Sequence, residues 1–418
     1  MAGNSLLTID MITREAVRLF KNSNLFIMNM DTQYDPQFAI DGAKIGSTLR
    51  IRLPNDYIVT SGTALQLQST TEQYTTLTVT DQRNVAVPFT SAERTMSIDD
   101  YSEIVLAPMI NNLAGKVAQT VMTNAAASVA NFTSNKDNAV ALNAVSATGA
   151  IISPTSEQFL QANAILDDNS ADQMTRRVVN DPTTDARTTV SLQGLFNPTP
   201  EISAQFRTGM MKSGLGYERW FRDQTVVKHT SGTFSAGGTL NGVPAQGATS
   251  ITVNAITGTL KKGDIITIAG VNAVNRVTKQ DLGTLRQFVV TADVATTGTT
   301  INIYPALVTP QADGTDSQYQ TVASIPADAA QVKLVTQSGE VYRKSIAYVQ
   351  KAITLATADL IMVKNAVVEC ARANYDGISM RILTDYINTS DQIATRADVL
   401  FGSATLRGEW LCAVADRV

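Results

Sequence analysis

The 418-residue sequence predicts an α+β protein divided into two or three domains, and three observations point that way. An apolar stripe at helical spacing, Ile110, Leu113, Val117 and Val121, marks one long helix. Alternation of Leu49, Ile51 and Leu53 with Arg50 and Arg52 marks a strand with one apolar and one basic face. Between residues 228 and 333 charge thins and Gly, Thr and Val dominate. The short runs there, separated by turns, have the pattern of a β-barrel or sandwich.

Taken in order, residues 5–21 read as an amphipathic helix with Ile9, Ile12, Ala16 and Leu19 on one face and Arg14, Arg18 and Lys21 elsewhere. A helix this short needs a surface to pack on, its own domain or a neighbouring copy. Residues 46–90 read as β, with Thr75, Leu77, Val79, Val85 and Val87 continuing the period of two. The polar stretch Ser61 to Tyr74 reads as the tip of a long β-excursion. Ser97 and Asp100 form a capping-box-like pair, and Pro108 interrupts or restarts the helix they open. From Met109 to about Ser128 the helix would span about 30 Å at 1.5 Å per residue. An Asn- and Ala-rich connector runs to Ser153. Pro154-Thr155-Ser156-Glu157 then opens a helix with Phe159, Leu160, Ala164 and Ile165 apolar. Arg177 to Asn180 is a short strand stopped by Asp181-Pro182.

In the Gly/Thr-rich block, strands are expected at Thr249–Ile256, Ile265–Val271, Phe288–Thr291 and Thr300–Tyr304. Lys261-Lys262-Gly263-Asp264 is a tight turn with positive φ available at Gly263. The block reads as a discrete insertion. Mixed structure resumes from Lys344 to Leu360, and the C-terminal strands complete the host domain.

Composition narrows the function. Charged residues are 17% of the chain, below the usual share of about 25%, as suits either a surface covered by neighbours or simply a Thr- and Ala-rich β-protein. Thirty-three basic against 37 acidic residues give a net charge of −4, which argues against a nucleic-acid-gripping protein. It is compatible with a container around DNA. Cys370 and Cys412 make no disulfide framework, and free thiols in a reducing cytoplasm are expected. No apolar run reaches the roughly 20 residues of a membrane span, and MAGNSLLTID lacks the features of a signal peptide.

Catalytic chemistry finds little support. His229 is the sole histidine and falls in the stretch leading into the insertion, where a surface or linker role is the plainer reading. One histidine and two distant cysteines cannot furnish a tetrahedral metal set, so no metal and no cofactor is expected. Asp99-Asp100 and Asp167-Asp168 fit helix ends and turns, and Asp313 with Asp316 offers too few ligands for calcium. Gly209, Gly214 and Gly216 lack dinucleotide or phosphate-loop spacing. Arg176-Arg177 reads as a solvated strand edge. Arg50 and Arg52 could contact DNA, but on a β-excursion they better fit the carboxylates of a neighbouring subunit, because the guanidinium fork pairs with a carboxylate bidentately.

Three places carry a family resemblance most strongly, the third running from Ser345 to the C-terminus and represented by two pieces. They are VPFTSAERTMSIDDY (Val87–Tyr101) leading into LAPMINNLAGKVAQTVM, TLKKGDIITIAGV (Thr259–Val271), SIAYVQKAITLATADL (Ser345–Leu360), and the last forty residues, SMRILTDYINTSDQIATRADVLFGSATLRGEWLCAVADRV. In order and spacing they resemble tailed-bacteriophage coat proteins, closest to the branch of short-tailed Salmonella phages whose subunits carry an extra β-domain.

The resemblance implies a Hong Kong 97-type capsid fold and no enzymatic activity. It implies an N-terminal arm at 1–40 and, at 41–149, an extended loop and a peripheral domain with a spine helix. It further implies the first part of an axial domain at 150–227, an inserted β-domain at 228–333, and a C-terminal axial and peripheral part at 334–418. Gly237–Ala248 best matches the capsomer-bridging loop of relatives but lacks the acidic residues for salt bridging. The implied function is a major capsid protein that self-assembles, through hexamers and pentamers, into an icosahedral head enclosing double-stranded DNA. Implied partners are a scaffolding protein and a portal protein, with assembly in the host cytoplasm and no membrane. Arg14, Arg18, Arg50 and Arg52 are the candidate assembly contacts. The alternatives are an encapsulin-type nanocompartment shell, a β-rich surface or adhesion protein, and, more remotely, a hydrolase built on His229.

Overall fold

The computed structural model describes residues 9–34, 48–59, 63, 67, 72–90, 106–136, 149–191, 213–311, 315–363, 367–389 and 392–418. The Ser97–Asp100 cap, Asp99-Asp100, Gly209, Asp313 and most of the Ser61–Tyr74 tip lie outside them. Helix and strand are mixed throughout, so the protein is α+β. The chain forms two compact units, both discontinuous in sequence. Unit 1 comprises Met1–Arg52, Tyr74–Val121 and Ile353–Leu406, and unit 2 comprises Leu53–Gln73, Met122–Ala352 and Arg407–Val418. The Gly/Thr-rich block falls in one unit with the strands flanking it, and the C-terminal part is shared between both units.

Unit 1 begins with α1 (Ile9–Ser23) and the short α2 (Leu25–Met28), capped by Asn24, whose Oδ1 accepts from Phe26 N and Ile27 N. Its main sheet contains β1 (Asp31–Tyr34), β4 (Asp81–Thr90), β16 (Ile353–Ala358), β17 (Glu369–Tyr375), β18 (Ile378–Ile387) and β19 (Gln392–Thr405). The order is β1-β16-β19-β18-β17, with β4 paired antiparallel along β19 from Gln392 to Phe401. Asp376-Gly377 closes the β17–β18 hairpin with φ of 49° and 80°, the positive pair that a type I′ turn requires. The face of α1 that packs on β17 and β18 carries Thr13, Ala16, Val17 and Phe20, with Ile12 and Leu19 only half-buried. This differs from the face expected from sequence. Phe20, the bulkiest apolar side chain of the second half of the helix, sets the rotation.

A two-stranded ribbon, β2 (Thr48–Arg52) with β3 (Tyr74–Thr78), completes unit 1 in the register Arg50↔Thr76. Leu49 and Ile51 join Leu77, Val79, Ala356 and Leu400 in a small core. The long helix α3 (Ala107–Ser128) has Pro108 in its first turn, where the missing N–H costs nothing. Ile110, Leu113, Val117 and Val121 are all buried.

Unit 2 holds a seven-stranded sheet of β5 (Asn131–Lys136), β6 (Ile151–Ile152), β7 (Arg176–Asn180), β8 (Arg219–Arg222), β9 (Lys228–Thr230), β15 (Val341–Val349) and β20 (Leu411–Arg417). Its order is β6-β5-β20-β15-β7-β8, with β9 also on β15. β5 falls in the stretch expected to be a connector. Its sequence NFTSNK shows no β pattern, and the strand exists through parallel pairing with Cys412–Ala415. Helix α4 (Ser156–Asp168) opens with the Thr155/Gln158 capping box and packs on β5, β15 and β20. Its buried face is Gln158, Phe159, Gln161, Ala162 and Leu166, whereas Leu160 is 48% exposed, contrary to the apolar face expected. Phe159, Val178, Tyr217, Trp220, Ala347 and Val414 belong to the core beneath it. A further helix, α5 (Pro182–Ser191), starts on the proline taken from sequence as a stop.

Also in unit 2 is a five-stranded antiparallel sheet, β10-β13-β12-β11-β14, formed by β10 (Ala248–Thr252), β11 (Ile265–Val274), β12 (Asp281–Val290), β13 (Thr300–Leu307) and β14 (Val332–Leu334). Its buried core, from Phe234 to Val332, includes Ile266, Ile268, Phe288, Val290, Ile301 and Ile303. Each fully buried side chain of this kind contributes about 1.5–3 kcal/mol, so the sheet has a core of its own.

Candidate assembly surface

The four candidate arginines lie in unit 1. On α1, Arg14 is exposed, and Arg18 is 52% exposed and pairs within its own helix with Glu15. That pairing holds the Glu15 carboxyl below its usual range. On β2, Arg50 and Arg52 both project from the exposed face, opposite Leu49 and Ile51. The Arg50 guanidinium lies 4.8 Å from the Tyr74 ring centroid, a cation–π contact across the ribbon. The ribbon thus presents two guanidiniums and an aromatic ring on one face. The structure does not place Arg14 and Arg18 on the element that carries Arg50 and Arg52.

Two features that the sequence did not reveal lie where the five-stranded sheet meets the seven-stranded one within unit 2. The first centres on Asp264, wholly buried after the Lys261–Gly263 turn. His229 Nε2 donates to its Oδ1 at 2.7 Å, while Gly232 N and Lys261 N donate to its Oδ2 at 2.9 and 2.7 Å. Gly263 adopts φ 93°, which turns its carbonyl to accept from Lys344 Nζ at 2.6 Å; Lys344 also donates to Ala126 O at 3.1 Å. Burial pushes Lys344 down to about 8, with the Asp264 charge opposing, and burial likewise lowers His229. His229 is therefore neither a surface nor a linker residue. Its side chain is 14% exposed, its ring packs edge-on to Tyr342, and it serves as a tie between β9 and the turn.

The second feature is the docking of β12 on β5. The Gln287 side-chain amide accepts from Phe132 N and donates to Phe132 O, imitating one rung of a β-ladder. Next to it, Arg286 reaches Asn169 Oδ1, and Arg276 pairs with Asp56 and Glu409. A Gln directly before the apolar run Phe288-Val289-Val290 is the sequence signal that would have found this tie.

Arg176 is not at a solvated edge. It is 1% exposed, and Asp167, the carbonyls of Asp172, Asn163 and Ala171, and the Asn163 side chain satisfy its guanidinium. Arg177 pairs with Glu218 at 3.5 Å. Cys370 and Cys412 are free thiols. Among the described residues, no group of three or more His, Cys, Asp or Glu side chains could hold a metal ion, and no helix is long and apolar enough to cross a membrane.

The chain belongs to the P22 coat protein family, whose description "P22 coat protein - gene protein 5" matches residues 1–412. It is a bacteriophage major capsid protein, a structural component of the virion that assembles with copies of itself into a shell. No curated protein sequence matches the chain. Similar solved structures include the capsid of the cyanophage P-SCSP1u, at 10% identity over 93% of this chain and 86% of that one with a TM-score of 0.43. Mycobacterium phage Che8 matches at 9% identity over 93% and 90%, also at 0.43. The CUS-3 coat protein I-domain is 30% identical over 26% of this chain and 93% of its own length, with a TM-score of 0.17. These likenesses are distant, and family membership rests on the sequence match.

Proposed function

We propose that this coat protein builds an icosahedral head, through hexamers and pentamers, around double-stranded phage DNA, using a Hong Kong 97-type fold with a β-domain inserted at about residues 228–333. The family match over residues 1–412 carries this reading. On it, residues 1–40 act as the N-terminal arm and 41–149 as extended loop and peripheral domain with α3 as spine. Residues 150–227 and 334–418 supply the axial domain and the rest of the peripheral one. Scaffolding and portal proteins are the assembly partners, and assembly takes place in the host cytoplasm.

The physical logic supports the reading. A closed shell requires one surface to meet its copies at slightly different angles. Stiff cores with projecting strands and helices meet that need, because the projections shift while the cores hold. Contacts of a few kcal/mol each, at about 1.4 kcal/mol per tenfold, let misplaced subunits leave before closure. Arg50 and Arg52 on the outward face of β2 suit carboxylates of a neighbour, and Arg14 and Arg18 offer a second such point on α1. A net charge of −4 suits a wall that surrounds DNA without binding its sequence.

The test is co-expression with the phage's scaffolding protein, followed by sedimentation and negative-stain microscopy. Fast-sedimenting closed shells are expected. Slow-sedimenting material alone would overturn the proposal, and shells holding protein cargo with no scaffold requirement would favour the nanocompartment alternative.

A further inference from the structure

A cavity of about 130 Å³ in unit 2 is lined by Arg276, Arg286 and Arg407, along with Glu409, Tyr304 and Thr321. Positive charge is in excess there. Arg276 is held by Asp56 at 2.7 Å and Glu409 at 2.6 Å, which accounts for both carboxylates. Arg407 lies over the Trp410 ring, 4.8 Å from its centroid, and donates to the Pro54 carbonyl. Lys279 and Asp316 stand in the same field and offset one another. Three guanidiniums thus face two carboxylates, a surplus of one positive charge, and the side chain whose donors are least satisfied is Arg286. That side chain is 5% exposed, and its closest approach to Glu409 is a long 3.5 Å. Its Nη1 reaches Asn169 Oδ1 at 3.2 Å, and its Nε–H meets no acceptor among the described residues.

Burial holds both Arg286 and Arg407 below the ordinary arginine range, and Arg276 pushes each further down. A desolvated guanidinium with an unmet donor is costly, and an anion in the cavity would supply both the charge and the acceptor. The planar fork of arginine favours an oxyanion over a spherical halide.

We propose that this cavity binds one small oxyanion of the phosphate or sulfate class, with the Arg286 Nε–H as principal donor and the charges of Arg276 and Arg407 around it. Bound anion stabilises unit 2 by mass action. The site does not depend on the assembly reading, so either can fail alone.

The experiment titrates inorganic phosphate into the full-length soluble chain at pH 7 and constant ionic strength, by calorimetry and by thermal melting. Wild type should bind one phosphate per chain, and its Tm should rise with millimolar phosphate. Arg286→Gln should bind at least tenfold more weakly, and its Tm should not respond. If Arg286→Gln does not fold, Arg286→Lys carries the comparison: it keeps the charge, lacks the fork, and should bind at least threefold more weakly. Absence of saturable binding, or equal affinity in the variant, overturns the proposal. A short DNA duplex added as competitor should leave phosphate binding unchanged. Displacement by DNA would assign the charge to a DNA-facing surface and overturn the enclosed-anion reading.

Discussion

Replacing Asp264 by Ala removes the acceptor of three hydrogen bonds at once. The Gly232 and Lys261 amides would be left unpaired, at about 1–3 kcal/mol for each one that remains buried. His229 would lose its partner at 2.7 Å, and the Lys344 ammonium would lose the one carboxylate that opposes its desolvation. Removing one member of a buried charged pair costs about 3–5 kcal/mol, and relaxation of the turn at Gly263 limits how far the other losses add to that. The expected loss is therefore about 3–5 kcal/mol, against about 2 kcal/mol for Asp264→Asn, which keeps one acceptor. Both tryptophans, Trp220 and Trp410, lie in unit 2, so urea unfolding followed by tryptophan fluorescence reads that unit. Adding Lys344→Met to Asp264→Ala should cost less than the two single changes summed, because the second removes the cation that the first leaves unopposed. A loss under about 1 kcal/mol for Asp264→Ala would refute the idea that this carboxylate fastens the five-stranded sheet to its neighbour.

Further outcomes are expected. Phe20→Ala should destabilise unit 1 by about 3–5 kcal/mol, because the ring is wholly buried on the α1 face packed against β17 and β18; hydrogen exchange of β17 amides would show it, and unchanged protection would mean α1 is a detachable arm. Arg50→Glu with Arg52→Glu should reduce shell yield while costing the subunit no more than about 1 kcal/mol, the worth of the exposed Arg50–Tyr74 contact; full yield by light scattering would remove β2 from the contact set. Lys344 sits at about 8 in the folded chain against its ordinary 10.5, so the unfolded chain holds the extra proton between those values. Its contribution is least favourable below pH 8 and improves as pH rises towards 10.5, by up to about 1.4 kcal/mol per pH unit. Lys344→Met should flatten that slope in urea titrations, and identical slopes in both proteins would count against a buried ammonium.

Local signals were readable and long-range ones were not. The stripe Ile110, Leu113, Val117, Val121 and the turn at Gly263 follow from spacing within one element, and both appear in the structure. β5 was unreadable because the strand it pairs with lies about 280 residues later in the chain, and nothing in NFTSNK announces it. The α4 face shifted because Gln158 is committed to the cap and Gln161 is buried alongside it, so polarity misled the choice of inward side. Arg176 looked exposed because the carbonyls and carboxylate that satisfy it come from the loop and helix before it. The Asp376-Gly377 turn is a local signal of the same kind as the Gly263 turn, a hairpin closed by two adjacent residues with positive φ. Discontinuous units escape any reading by periodicity, since only tertiary contact tells which returning strand completes which core. The outward basic face of β2 was visible in its alternation, whereas the Asp264 and Gln287 ties depend on side chains meeting backbone far along the chain.

Cryo-electron microscopy of purified virions, with this chain fitted into the wall, tests the central claim most directly. Density for the fold at every position around fivefold and sixfold centres, with β2 of each copy against a neighbour, is the result expected. Virion walls built from another protein, with this 44.7 kDa chain recovered only as a free monomer, would contradict it.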